Sequence, residues 1–127
     1  MKKRILVIED NEQNMYLVTY LLENAGFLVT QARDGRTGIN LATSQSFDLV
    51  VLDIQLPEMD GYEIAKNLRK TPALDKIPIV AVTSHAMAGD RENILEAGCS
   101  DYIEKPIDPF TFVRSITQHI GTGGNES

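Results

Sequence analysis

Glu9-Asp10, Asp53, Thr83 and Lys105 are the residues whose types could do chemistry together, and each stands at the end of a short apolar run. Glu9-Asp10 follows Ile5 to Ile8, Asp53 follows Leu49 to Leu52, Thr83 follows Ile79 to Val82, and Lys105 comes just after Tyr102-Ile103. Three carboxylates brought into one cleft repel one another unless a proton or a cation neutralises them. An all-oxygen cluster with room for water suits Mg2+, which takes one or two carboxylates together with phosphate oxygens. A lysine from the far side and a hydroxyl donor complete a site for a phosphoryl group, whose transfer depends on charge neutralisation and alignment. One carboxylate could itself be the nucleophile and form an aspartyl-phosphate. Asp53 is favoured, being central between the acidic pair and the Thr83 and Lys105 positions. A lone Asp or Thr after a strand more often caps a helix or closes a turn. It is the five residues together that point to chemistry.

Positioning these residues requires a particular framework. The three continuous runs lack polar alternation, as expected of strands buried on both faces of a parallel sheet. Phe27 to Thr30 and Tyr102-Ile103 are weaker and predict edge strands. Helical periodicity fills the gaps: Met15, Val18, Leu22 and Ala25; Ile39 and Ala42; Ile64, Ala65 and Leu68; Ile94, Leu95 and Ala97; Val113, Ile116 and Ile120. Gly26 and Gly98 read as helix stops. Five β-α units with right-handed crossovers predict an α/β fold. Its five-stranded parallel sheet has order 2-1-3-4-5 and five helices on two faces. That order places a topological switch point between strands one and three, where ligands bind beyond the strand carboxyl ends.

The 127 residues suffice for one domain, and 43% hydrophobic with 24% charged residues is a globular composition. The net charge of −6 argues against sequence-independent nucleic-acid binding, which needs cationic surface. No apolar run approaches a membrane span, and Ile5 to Ile8 is too short for a signal peptide. A single cysteine, Cys99, precludes an intramolecular disulfide and a Cys-rich metal site, and a cytoplasmic location is expected. The domain is expected over residues 1–120. Residues 121–127, rich in Gly and small polar residues, are read as a flexible tail.

Four segments carry a resemblance to a known family: Ile5-Leu6-Val7-Ile8-Glu9-Asp10-Asn11, Asp48 to Gly61, Ile77 to Thr83, and Ala97 to Pro106. Over about residues 3 to 120 the chain resembles the receiver domain of bacterial two-component response regulators, a flavodoxin-like fold. It is similar to single-domain receivers of the chemotaxis and cell-cycle kind and to receivers appended to hybrid kinases. The resemblance implies a phosphorylation-activated signalling switch of a phosphorelay. Asp53 would accept a phosphoryl group from a phosphohistidine on a histidine kinase or a histidine phosphotransfer protein. Asp10, Asp53 and the backbone carbonyl of Gln55 would ligate Mg2+, with Glu9 acting through a water. Lys105 and Thr83 would contact the phosphoryl oxygens, Thr83 moving inward, and Tyr102 would change rotamer with it. The Lys105-Pro106 peptide would be cis. Output would pass to a downstream effector protein through the fourth helix, fifth strand and fifth helix, with no direct contact to nucleic acid and no membrane insertion. The protein would be a regulatory phosphoacceptor and not an enzyme, catalysing only its own phosphorylation and dephosphorylation. The chain departs from the common family pattern at Glu9, where many members carry aspartate, and at Ser84, where alanine is frequent.

Two other classes fail on the same residues. A phosphatase of the haloacid dehalogenase type needs a second aspartate two residues after the nucleophile, and that position is Gln55. A flavodoxin-type flavin module needs a Ser/Thr/Gly-rich phosphate loop after the first strand, where Glu9-Asp10-Asn11-Glu12 would repel phosphate. His85 and His119 are too few and too separated for a metal site. His85, two residues past Thr83, could border the path of water to the phosphoryl group, and His119 reads as a surface residue. Gly61 fits a turn and is assigned no chemistry, and Cys99 reads as a small buried residue.

Overall fold

Apolar runs become central strands here because both faces of the sheet are covered. The computed structural model describes residues 2–56, 60–84 and 87–120. Five strands, β1 (Arg4–Ile8), β2 (Leu28–Ala32), β3 (Leu49–Asp53), β4 (Ile79–Thr83) and β5 (Asp101–Glu104), form one parallel sheet of order β2-β1-β3-β4-β5. Between and after them run α1 (Glu12–Asn24), α2 (Gly35–Ser44), α3 (Gly61–Lys70), α4 (Ala88–Glu96) and α5 (Pro109–Ile120), with a short 3-10 turn at Pro72–Leu74. Strand side chains alternate between two cores. Ile5, Val7, Leu49, Val51, Val80 and Val82 pack with Met15, Val18 and Leu22 of α1 and with Phe112 and Ile116 of α5. Leu6, Ile8, Val50, Leu52, Ile79 and Ala81 pack with Ala42, Ile64, Leu68 and Ile94 of α2, α3 and α4. The expected sheet order and the two-faced arrangement are both present.

The differences are local. β2 is shifted to begin at Leu28, and Phe27, read as its first residue, is instead a buried core residue before it. Asp53 and Thr83 are the last residues of β3 and β4 and do not lie beyond them. Leu95, read as part of the apolar stripe of α4, is 53% exposed, and Ile94 is the buried residue there. Gly26 and Gly98 take φ of 97° and 111°, the left-handed conformation that ends α1 and α4 without a Cβ penalty. The reading of residues 121–127 falls outside the described residues. Among the described residues no helix is long and apolar enough to cross a membrane.

Helix starts follow side-chain capping. Asn11 accepts from the Asn14 N–H, Asp34 from Thr37, and Asp60 from Tyr62. Asp108 Oδ1 accepts from the amides of Phe110 and Thr111 at the head of α5. α4 starts after Met87 with no side-chain cap, so its first turn is less firmly anchored.

Candidate functional site

The parallel register delivers the acidic residues to one end of the sheet. Ile8 of β1 lies opposite Leu52 of β3, so Glu9, Asp10 and Asp53 emerge side by side at the strand carboxyl ends. Each offers a carboxylate oxygen, and the three oxygens lie within 4.8 Å of one another. Glu9 and Asp53 are buried at 3% and 2% exposure, whereas Asp10 is exposed. β4 pairs on the other side of β3 with Asp53 opposite Val82, which sets buried Thr83 next along the cleft. β5 then places Glu104 opposite Thr83, and the Lys105 N–H donates to the Thr83 carbonyl at 2.8 Å. From there the Lys105 ammonium reaches back across the sheet end to within 3.3 Å of Asp53 Oδ1. The Lys105-Pro106 peptide is cis.

Asp53 Oδ1 also accepts the backbone N–H of Gln55 at 2.9 Å. Glu9 is hydrogen-bonded to Asp53 through its side chain, and its Oε2 accepts the Asn11 N–H at 3.2 Å. Burial, then the hydrogen bond and the charge of Asp53, push the Glu9 carboxyl up to about 7, while the Asn11 N–H and Lys105 oppose the shift. Crowded carboxylates that retain a proton near neutrality are a site short of positive charge. Lys105 supplies one charge, and the all-oxygen donor set with an exposed third member fits a hard divalent cation that keeps water ligands.

The residues singled out from sequence, His85 apart, have definite places. Glu9, Asp10, Asp53, Gln55, Thr83 and Lys105 surround the cleft. Tyr102, half-buried on β5, packs against the core beside α4, and the Arg91 guanidinium of α4 lies 5.6 Å from its ring centre. His85 lies outside the described residues. His119 is partly buried at the end of α5, with Nε2 3.1 Å from Asp101 Oδ2. Cys99 is buried, and burial pushes its thiol up to about 12.

Three contributions escaped the sequence reading. Gly61 closes the loop after Asp53, its N–H donating to the Ile54 carbonyl at 3.2 Å. A Cβ on Gly61 would lie 2.4 Å from Ile54 Cα, so only glycine permits this approach. The Gln55 side chain bridges two loops, its Oε1 accepting the Ser84 backbone N–H at 2.9 Å. Arg69 clasps the α3–β4 and α4–β5 connections, donating to the carbonyls of Leu74, Ile77 and Gly98 at 2.6 to 2.8 Å. That Gly61 fits a turn was the only sequence signal for any of these, and nothing in the sequence marks Arg69 as different from other helical arginines.

Comparison with known proteins gives a consistent result. The response regulator receiver domain family matches residues 5–117. The polar-differentiation response regulator DivK of Brucella anthropi is 41% identical over 121 residues, covering 95% of this chain and 98% of that protein. The receiver domain of a sensor histidine kinase from Pseudomonas aeruginosa, solved with a magnesium ion coordinated in its active-site cleft, superposes with a TM-score of 0.88 at 34% identity. The match covers 96% of this chain and all of that one. The chemotaxis protein CheY4 of Vibrio cholerae, at 24% identity and a TM-score of 0.90, shares the fold over 94% of this chain and 99% of its own.

Proposed function

The chain belongs to the response regulator receiver domain family, and from that premise we propose that residues 1–120 form a receiver whose Asp53 accepts a phosphoryl group from a phosphohistidine. Receiver domains of response regulators are regulatory phosphoacceptors of two-component signalling, and they interact with histidine kinases and downstream effectors. The observation that carries the assignment to Asp53 is its environment. It is a buried carboxylate held at one oxygen by Lys105 and the Gln55 N–H, with two further carboxylates within 4.8 Å.

Asp53 lies at the centre of the cluster, so its carboxylate is the nucleophile. An Asp53 oxygen attacks phosphorus, the P–O bond forms as the P–N bond of the phosphohistidine breaks, and the imidazole leaves with the electron pair. Lys105, already 3.3 Å from Asp53 Oδ1, pairs with a phosphoryl oxygen. The Thr83 hydroxyl donates to another. Glu9, Asp10, Asp53 and the Gln55 carbonyl would hold Mg2+, Glu9 through a water. When bound, that ion neutralises the charge that builds up on the transferring group. Support for the ion comes from the fit of the carboxylates and from the magnesium in the related Pseudomonas receiver.

Thr83 and Tyr102 are the proposed switch pair. Tyr102 packs on the α4 side of the sheet, opposite in face to its neighbour Ile103, and Arg91 sits over its ring. A shift of Thr83 is thereby read out on the α4-β5-α5 face, where an effector protein would bind. A cytoplasmic location and action without direct nucleic-acid contact belong to the same proposal. The test is phosphorylation by acetyl phosphate and by a phosphorylated histidine phosphotransfer protein, both with Mg2+. One phosphoryl group per chain is expected, and none in Asp53→Asn. Undiminished labelling of that variant would overturn the assignment.

A further inference from the structure

Gln55 grips both sides of the cleft at once. Its backbone N–H donates to Asp53 Oδ1 at 2.9 Å, and its side-chain Oε1 accepts the Ser84 backbone N–H at 2.9 Å. The two partners stand at the ends of different strands. Asp53 ends β3, and Ser84 is the first residue past β4. Ladder contacts hold both strand ends up to that point: Ile54 N–H donates to the Val82 carbonyl at 3.0 Å, and the Thr83 carbonyl accepts from Lys105 at 2.8 Å. Ser84 is therefore where the chain leaves the sheet. The next helix along, α4, starts without a side-chain cap. A tie at Ser84 restrains the start of the segment that leads from the cleft to α4.

We infer that Gln55 is a positioning residue that works as a latch: its side-chain oxygen holds the Ser84 N–H while Asp53 is bare, and a phosphoryl group on Asp53 displaces it. This rests on the reading of Asp53 as the acceptor. Hydrogen bonds to an anionic oxygen are roughly twice as strong as those to a neutral amide oxygen. A phosphoryl group on Asp53 brings three such oxygens into the cleft that Ser84 borders. One amide proton cannot serve both acceptors in good geometry, so the stronger acceptor takes it and the Gln55 side chain lets go. Breaking the latch is then part of the cost of adopting the phosphorylated form. Apparent affinity for a phosphoryl mimic is reduced by the fraction of molecules that remain latched. For an exposed neutral hydrogen bond that factor is about two- to fivefold.

A latch and an ordinary structural tie differ in sign. Losing a tie that builds the site weakens binding of a phosphoryl mimic, and losing a latch strengthens it. The experiment uses the full chain with Mg2+ and beryllofluoride as the mimic, in wild type, Gln55→Met, Gln55→Glu and Asp53→Asn. Gln55→Met keeps the length of the side chain and removes its oxygen. Without beryllofluoride, its Ser84 amide should exchange with solvent about two- to fivefold faster than in wild type. On titration it should bind beryllofluoride tighter by a similar factor. Gln55→Glu restores an oxygen at the same reach, so Ser84 protection should return and affinity should be no higher than in wild type. Unchanged or weaker beryllofluoride binding by Gln55→Met overturns the latch, as does unchanged Ser84 exchange. Asp53→Asn should not bind the mimic. Wild-type binding by that variant would instead refute the acceptor reading, whatever the Gln55 variants do.

Discussion

Replacing Glu9 by Gln removes one of three crowded carboxylates while keeping the length of the side chain and its capacity to hydrogen-bond Asp53. Burial and Asp53 push the Glu9 carboxyl from 4.5 up to about 7. Below about pH 4.5 the group is protonated in both folded and unfolded chains and contributes no pH dependence. Between about 4.5 and 7 the folded protein alone keeps the proton, so unfolding releases it and stability falls as the pH rises. Above about 7 the loss is complete. Each pH unit of that interval is worth about 1.4 kcal/mol. Solvent screens the cleft mouth, which leaves about 1–2 kcal/mol for Glu9 itself. Metal-free Glu9→Gln should therefore gain about 1–2 kcal/mol over wild type near pH 8 and match it near pH 4.5. The assay is urea unfolding in EDTA across that range, with midpoints compared at constant slope. Adding Mg2+ at neutral pH should narrow the gap, because the cation binds only the deprotonated cluster and stabilises wild type by mass action. A gap that does not vary with pH would refute the crowding argument.

Other substitutions separate chemistry from framework. Lys105→Ala should still become phosphorylated, more slowly, yet show no phosphorylation-dependent shift of the Tyr102 amide in NMR spectra, because the ion pair to the phosphoryl group is gone. Gly61→Ala forces a Cβ to 2.4 Å from Ile54 Cα; it should cost about 1–3 kcal/mol in urea unfolding and slow phosphorylation by displacing the loop that carries Gln55. Arg69→Ala strips donors from the carbonyls of Leu74, Ile77 and Gly98. It should cost about 2–4 kcal/mol and speed the reaction of buried Cys99 with a thiol reagent, while phosphorylation of Asp53 proceeds.

The framework was legible because the runs Ile5–Ile8, Leu49–Leu52 and Ile79–Val82 are apolar at every position, which only strands covered on both faces require. Strand order followed from which runs were weakest, and it brought Glu9, Asp10, Asp53, Thr83 and Lys105 to one end of the sheet. What was not legible was set by a turn end, by helical phase and by contacts distant in sequence. Phe27 is apolar and precedes a strand, but whether it pairs or fills the core under α1 depends on where the turn after Gly26 ends. Leu95 neighbours Ile94, and a one-residue difference in helical phase decides which is buried. The Gln55–Ser84 and Arg69–Gly98 contacts span 29 residues each. No periodicity or motif encodes a side chain that meets the backbone of another loop.

Everything proposed for the cleft depends on Asp53 carrying the phosphoryl group. Phosphorylation with acetyl phosphate and Mg2+, followed by borohydride reduction, converts an aspartyl-phosphate to homoserine at the residue that carried it. Sequencing the peptides by mass spectrometry then locates that residue without any substitution. Homoserine is expected at position 53 alone, and only when Mg2+ is present. Homoserine at position 10, or a phosphoryl group recovered on Thr83 or Ser84, would contradict it.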